Sequence, residues 1–265
     1  MSRRTVLITG ASAGIGEAFA EVFAAKGFDL VLTARRADRL EQVASRLRAR
    51  HGCRADAIVL DHAERTAVDR LCGELDARGI TVDALVNNAG YGIPGLYTNV
   101  PWDVQAPMLQ VMVVGLCELT RRLWPGMLER GYGRVINVAS LAGLVPAPAG
   151  HTLYGATKAF LIKFSEALAH EGREHGVHVT ALCPGFTRSE FHDVTGTRQQ
   201  MNRLPRWLWM DAPTVARLGF EAVERGQAIC VTGRINRTIA LLVRIVPQGI
   251  VQAVGTAMGR NYRKT

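Results

Sequence analysis

Tyr154 and Lys158 stand four residues apart in the stretch LYGATK (153–158), a separation that puts two side chains on one face of a helix. A free phenol, with a pKa of about 10, is a poor base near neutrality. A cation about 4 Å away contributes around 4 kcal/mol at an effective dielectric near 20. That lowers the phenol pKa by up to about three units before desolvation is subtracted. Such a pair suits proton transfer to or from an oxygen. The basic residues of the chain are nearly all arginine, so a lysine at this spacing points to a tuned tyrosine.

A second chemical feature is TGASAGIG (9–16), in which Gly10, Gly14 and Gly16 flank Ser12 and Ile15. Glycines let backbone approach a pyrophosphate, and the helix that follows offers unpaired N–H groups and a positive dipole. The third is TARR (33–36) at the end of the second strand. An acid there would accept a hydrogen bond from an adenosine ribose 2′-hydroxyl. Ala34 stands in its place, followed by Arg35 and Arg36, whose guanidinium groups suit a phosphate. NADP(H) is therefore expected over NAD(H).

These groups need a scaffold. Short apolar runs, TVLIT (5–9), DLVLTA (29–34), DAIVLD (56–61), VDALVN (82–87), RVINVAS (134–140) and VHVTALC (177–183), read as strands buried on both faces. Segments of helical period lie between them, as in Phe19, Val22 and Phe23 before Lys26-Gly27, and again in Val68, Leu71 and Leu75. This alternation predicts an α/β fold with a doubly wound parallel sheet, a Rossmann fold, over one domain spanning 1–265. A substrate loop is expected at about 186–212, where Trp207, Trp209 and Met210 mix with charge, and an apolar and basic extension at about 235–265.

Three further pieces follow the glycine turn in order: NNAG (87–90), Ser140 at the end of the fifth strand, and YGATK (154–158). Together with TGASAGIG they resemble the short-chain dehydrogenase/reductase (SDR) family, from residue 5 to about 190. The resemblance implies that Tyr154 exchanges a proton with a carbonyl or alcohol oxygen while a nicotinamide passes hydride. It implies that Lys158 holds the nicotinamide ribose and lowers the tyrosine pKa, and that Ser140 hydrogen-bonds the substrate oxygen. The glycine loop and Ser12 would face the adenosine phosphates. Asp61, Asn88, Ala89 and Gly90 would border the adenine side. PGFT (184–187) would close on the nicotinamide, with Pro184 and Gly185 leading to Thr187 at the carboxamide. One position departs: MVVGLCELT (112–120) puts Met112 where the family usually has an Asn that anchors a relay water.

The implied activity is NADP(H)-dependent interconversion of a hydrophobic ketone or aldehyde with its alcohol. An apolar substrate is expected because Tyr91, Ile93, Leu96, Leu144, Val145, Trp207 and Trp209 fall in loops beyond the strand ends. The alternatives are a non-catalytic NADP(H)-binding regulator, suggested by Met112, and a membrane-surface-associated reductase. The second rests on RTIALLVRIVP (237–247) and QGIVQAV up to Val254, flanked by Arg237, Arg260, Arg263 and Lys264. Subunit contact or pocket cover ranks ahead of membrane contact for that stretch. The family resemblance also suggests a homo-oligomer, with Phe160, Leu161, Phe164 and Leu168 spaced for a buried helical face.

A net charge of +9 favours acidic ligands, yet no basic run is interleaved with aromatics, so nucleic acid is not expected. The five cysteines form no CxxC pair and fit reduced thiols in the cytoplasm. Val6-Leu7-Ile8 is too short for a signal-peptide core, and there is no uninterrupted 18-residue apolar segment. In HEGREH (170–175) the histidines are five apart and diverge on a helix, so no metal site is expected. His151, near Tyr154, has two readings, one lining the site and the other, ranked first, a surface residue at a helix start.

Overall fold

The computed structural model describes residues 3–147, 149–191, 205–247 and 249. Among these, seven strands form one sheet in the order β3-β2-β1-β4-β5-β6-β9, all parallel. They are β1 (Thr5–Thr9), β2 (Asp29–Ala34), β3 (Ala55–Val59), β4 (Ala84–Asn87), β5 (Gly133–Val138), β6 (Val177–Cys183) and β9 (Ile229–Val231). Two-residue strands β7 (Thr187–Arg188) and β8 (Met210–Asp211) pair beside it. The order reverses between β1 and β4, which opens a crevice at their C-terminal ends. This is the doubly wound Rossmann-like fold that the sequence predicts.

Alternation along the strands builds the two faces. Val6 and Ile8 of β1 and Leu30 and Leu32 of β2 point to one face. There they meet α1 (Gly14–Ala25), α2 (Ala37–His51) and α7 (Ala212–Glu224). Phe23 of α1 stands edge-on to Phe28 and to Phe220 of α7, each at 5.0 Å between ring centroids. Leu7 and Val31 point the other way, into a core with α3 (Ala67–Ala77), α5 (Gly115–Glu129) and α6 (Thr152–Gly172). A helix α4 (Trp102–Leu109) leads through one π-helical segment, Gln110–Val114, into α5.

The differences from the sequence reading lie at the edges. β9 escapes it because a three-residue run is too short to show a period; only its ladder with Ala181, Leu182 and Cys183 makes it a strand. The strand expected over 56–61 ends at Val59, so Leu60 and Asp61 leave the sheet as loop. Part of the expected loop at 186–212 is ordered as β7, β8 and a 3-10 turn at Arg206–Leu208, while 192–204 lie outside the described residues. The expected C-terminal extension begins as α8 (Arg234–Ile245), with Arg260, Arg263 and Lys264 outside the described residues. No helix among the described residues is long and apolar enough to cross a membrane.

The glycine turn between β1 and α1 is the tightest point of the fold. Gly10 and Gly14 have φ of 67° and 63°, a region that side chains with a Cβ rarely adopt. Gly16 is forced by space: a Cβ there would lie 2.3 Å from the Gly10 carbonyl oxygen and 2.5 Å from Asn88 Nδ2. Gly16→Ala is therefore expected to lower stability by about 1–3 kcal/mol, the usual cost of overpacking. Urea unfolding of the purified variant checks it, and an unchanged midpoint would contradict the packing described.

Candidate active site

Ser140 follows β5 in extended backbone, and its Oγ accepts a hydrogen bond from the Ala142 N–H at 3.1 Å, starting the 3-10 turn Leu141–Gly143. The turn is held from two sides. Leu141 N–H donates to the Pro184 carbonyl at 2.9 Å. Gly143 lies so close to α6 that a Cβ would be 2.6 Å from the Lys158 carbonyl carbon. Tyr154 and Lys158 both come from α6, as their spacing predicts. Lys158 is only 5 % exposed, and its Nζ donates to the Val138 carbonyl of β5 at 2.7 Å. The Lys158 Nζ lies 5.6 Å from the centroid of the Tyr154 ring.

The protonation states differ from the sequence expectation. Burial pushes the Tyr154 hydroxyl up to about 12, with a hydrogen bond to Ser140 acting the other way. The lysine does not lower it. Burial brings Lys158 itself down from 10.5 to about 8. Tyr154 is thus a neutral O–H donor at pH 7, the form that gives a proton to a carbonyl oxygen.

At the other end of the crevice, loops after β1, β2 and β4 meet. Thr9 Oγ1 accepts from the N–H groups of Asn88 and Ala89, both at 3.0 Å. The Asn88 side-chain amide donates to the carbonyls of Thr9 at 2.9 Å and Gly10 at 3.0 Å. Asn88 therefore braces the glycine loop with the group that was expected to border adenine. Ile15 is spent packing on the core of its own face. Arg35 reaches toward Asp61 at 4.0 Å, and Asp61 accepts from the Ala63 N–H at 3.0 Å. Arg36 donates to Ser12 Oγ at 3.1 Å, so the loop and the arginines converge. The bare glycine backbone, the first turn of α1 and these guanidinium groups fit a phosphorylated dinucleotide. Thr187, buried, bonds the Gly185 carbonyl at 3.2 Å, and Gly185 is pressed against Asn236 of α8, where a Cβ would meet Asn236 Nδ2 at 2.5 Å.

Met112 is buried with Met108 and Val111, and this cluster packs against Ala89, Tyr91, Ile93, Leu153 and Tyr154. It sits in the π-helical segment rather than in regular α-helix. A Cβ on Gly90 would be 3.4 Å from Met112 Cγ, so the methionine lies directly beneath NNAG. Of the other apolar residues expected around the site, Leu144 is partly buried against a core cluster and Val145 is partly buried. Leu96 and Trp207 are exposed, and the Trp209 ring lies 5.7 Å from that of Phe186. His151 is a correction. It is partly buried at the start of α6, with its ring 6.5 Å from that of Tyr154, so it lines the site.

Two features went unread in the sequence. Asn87 Nδ2 donates to Thr120 Oγ1 at 3.1 Å and Asn137 Oδ1 at 2.8 Å, and Asn137 Nδ2 donates to Ser165 Oγ at 2.8 Å. This buried chain ties β4, β5, α5 and α6 together under the site; the signal was an Asn inside each of two apolar strands. His62, next to Asp61, bonds Thr33 Oγ1 at 2.7 Å, and burial brings it down to about 4, so it is neutral. A separate cleft of ≈ 270 Å³, lined by Ile58, Leu60, Arg70 and Glu74 among others, lies between β3 and α3, away from Tyr154.

Residues 4–200 match the family model for short chain dehydrogenase, and the chain belongs to that family. It is 34% identical over 195 residues to a very-long-chain 3-oxoacyl-CoA reductase of Anas platyrhynchos; the match covers 71% of this chain but only 61% of that relative. A short-chain dehydrogenase of Sphingobium yanoikuyae, solved in complex with NADPH, is 31% identical with a TM-score of 0.80, over 95% of this chain and 94% of that one. A short chain dehydrogenase/reductase of Burkholderia phymatum, solved with NAD, is 28% identical with the same TM-score of 0.80, over 91% and 92%.

The buried lysine makes a pH prediction. Below pH 8 the native state holds an ammonium that the unfolded chain solvates freely, at a cost of about 3 kcal/mol. From about 8 to 10.5 the unfolded state binds more protons, so stability rises with pH. Lys158→Met removes that rise. The stability of the wild type relative to this variant should grow by about 3 kcal/mol across that window, measured by denaturant unfolding at several pH values. Parallel curves would show that the ammonium is not buried.

Proposed function

We propose that the chain is an NADP(H)-dependent oxidoreductase that interconverts a hydrophobic ketone or aldehyde with its alcohol. The observation that carries this reading is the neutral Tyr154 hydroxyl beside Ser140, at the mouth of a crevice whose other end is a glycine loop flanked by Arg35 and Arg36. A bound nicotinamide would supply or accept the hydride. Tyr154 gives its proton to the developing alkoxide and recovers it in the reverse direction, while the Ser140 hydroxyl orients the same oxygen. Lys158 supplies a cation at the nicotinamide ribose. Gly10, Ser12, Gly14 and Gly16 take the phosphates, Asp61, Ala89 and Gly90 the adenosine side, and Pro184, Gly185 and Thr187 the nicotinamide side.

Apolar lining by Met108, Met112, Tyr91, Ile93 and Leu153 supports a hydrophobic substrate. The name of the duck relative, a ketone reductase for very long acyl chains, is consistent with that lining. The absence of an acid after β2, with two arginines in its place, supports NADP(H) over NAD(H). Five free thiols support a reducing compartment, the cytoplasm. A homo-oligomer is supported by α6, where Leu161 and Leu168 are used in the core but Phe160 is left exposed, stacked on Phe164 at 5.7 Å.

Loss of NADPH absorbance against a panel of apolar ketones tests the activity. Tyr154→Phe should reduce turnover by at least about a hundredfold, because general acid catalysis is lost, with cofactor affinity nearly unchanged. Retained turnover would remove Tyr154 from the role of acid. Arg35→Asp should weaken NADPH binding by roughly 1.5–3 kcal/mol while NADH binding is spared, by isothermal titration calorimetry. Tighter NADH than NADPH binding by the wild type would overturn the cofactor assignment.

A further inference from the structure

The arginines at the end of β2 already hold an anion, and it belongs to the chain itself. Glu190 accepts a hydrogen bond from Arg36 Nη1 at 2.8 Å and is paired with Arg39 as well. The second nitrogen of the same Arg36 guanidinium holds Ser12 of the glycine loop. Glu190 and Arg36 are 154 residues apart in sequence, so the contact is made by the fold and not by local geometry. Hydrogen bonds from the two arginines keep the Glu190 carboxyl below its usual range, and thus charged at neutral pH.

The residues on either side of Glu190 cover the rest of the crevice. Ser189 lies over the glycine loop, where a Cβ on Gly14 would be 3.0 Å from Ser189 Cβ. Phe191 brings its ring to 5.7 Å from that of Tyr154. Three consecutive residues thus touch the phosphate loop, the arginines and the reacting tyrosine. Glu190 is the charged anchor among them.

We propose that Glu190 is an autoinhibitory latch: its carboxylate occupies the Arg36–Arg39 site in place of a ribose 2′-phosphate, and the phosphate must displace it. The inference rests on the NADP(H) reading above, and it adds Arg39 to the residues that meet the phosphate. Exposed carboxylate–arginine pairs are individually weak, so the latch yields readily. A phosphomonoester carries nearly two charges and three acceptor oxygens against one charge on the carboxylate, so exchange runs toward the phosphate. A cofactor without the phosphate has nothing to exchange.

The test is calorimetric titration of the full chain with adenosine 2′,5′-bisphosphate and with ADP. The first probe carries the 2′-phosphate and the second does not. Glu190→Gln should bind the bisphosphate roughly fivefold more tightly, the equivalent of one exposed ion pair of about 1 kcal/mol, with ADP affinity unchanged. In an Arg36→Gln, Arg39→Gln background the same Glu190 change should have no effect on either probe. Equal or weaker bisphosphate binding by Glu190→Gln would overturn the latch, as would an equal gain for ADP, which would mark simple steric cover. Preference of the wild type for the bisphosphate over ADP tests the NADP(H) reading separately. A preference that appears only in Glu190→Gln supports the latch in its strongest form, and no preference in either protein sinks both.

Discussion

The ammonium of Lys158, buried and hydrogen-bonded to the Val138 carbonyl at 2.7 Å, is the interaction on which the rest of the site depends. It ties α6 to the end of β5. With α6 fixed, Gly143 can approach its backbone closely enough to exclude any side chain, and the turn that follows Ser140 has one place to go. Tyr154, one helical turn before the lysine, then faces Ser140. The price of this arrangement is an ion held out of water, and its sign is visible in the depressed lysine pKa.

Beneath that contact lies a second layer of polar order. Asn87, Asn137, Thr120 and Ser165 form a buried chain in which each side-chain amide finds a partner, and Ser165 donates in turn to the Leu161 carbonyl at 2.7 Å. A satisfied network of this kind favours one register of helices on strands over others, since a shift would leave several buried groups unpaired. The cofactor end works on the same logic. Asn88 and Thr9 exchange hydrogen bonds across the crevice between β1 and β4, and Gly16 admits them by having no side chain. Both ends of the crevice are therefore held by groups that do no chemistry of their own.

Much of this was legible in the sequence because it is local. The i, i+4 spacing of Tyr154 and Lys158, the glycine turn after an apolar run and the strand–helix alternation each occupy a few consecutive residues. Their structural positions follow from geometry within one element. What was not legible depends on residues brought together from afar: the Asn87–Asn137 pair, the contact of His62 with Thr33, and the seating of Glu190 on Arg36. The tyrosine's proton was misread for a related reason. Spacing reveals a neighbouring cation, but the balance between its attraction and desolvation depends on how deeply both groups are buried. Burial prevails for Tyr154. The sequence marks Met112 as a departure from the family pattern but carries no sign that it sits in a π-helical segment under Gly90.

The central claim is that burial, more than the nearby lysine, sets the protonation of Tyr154. A spectrophotometric titration of tyrosinate absorbance, taken as the difference between the wild type and Tyr154→Phe, measures this directly. The account predicts that no tyrosinate attributable to Tyr154 appears through neutral and mildly alkaline pH, and that its ionisation comes above that of a free phenol, toward 12. A difference signal that titrates near neutrality would contradict it and return control of the proton to Lys158.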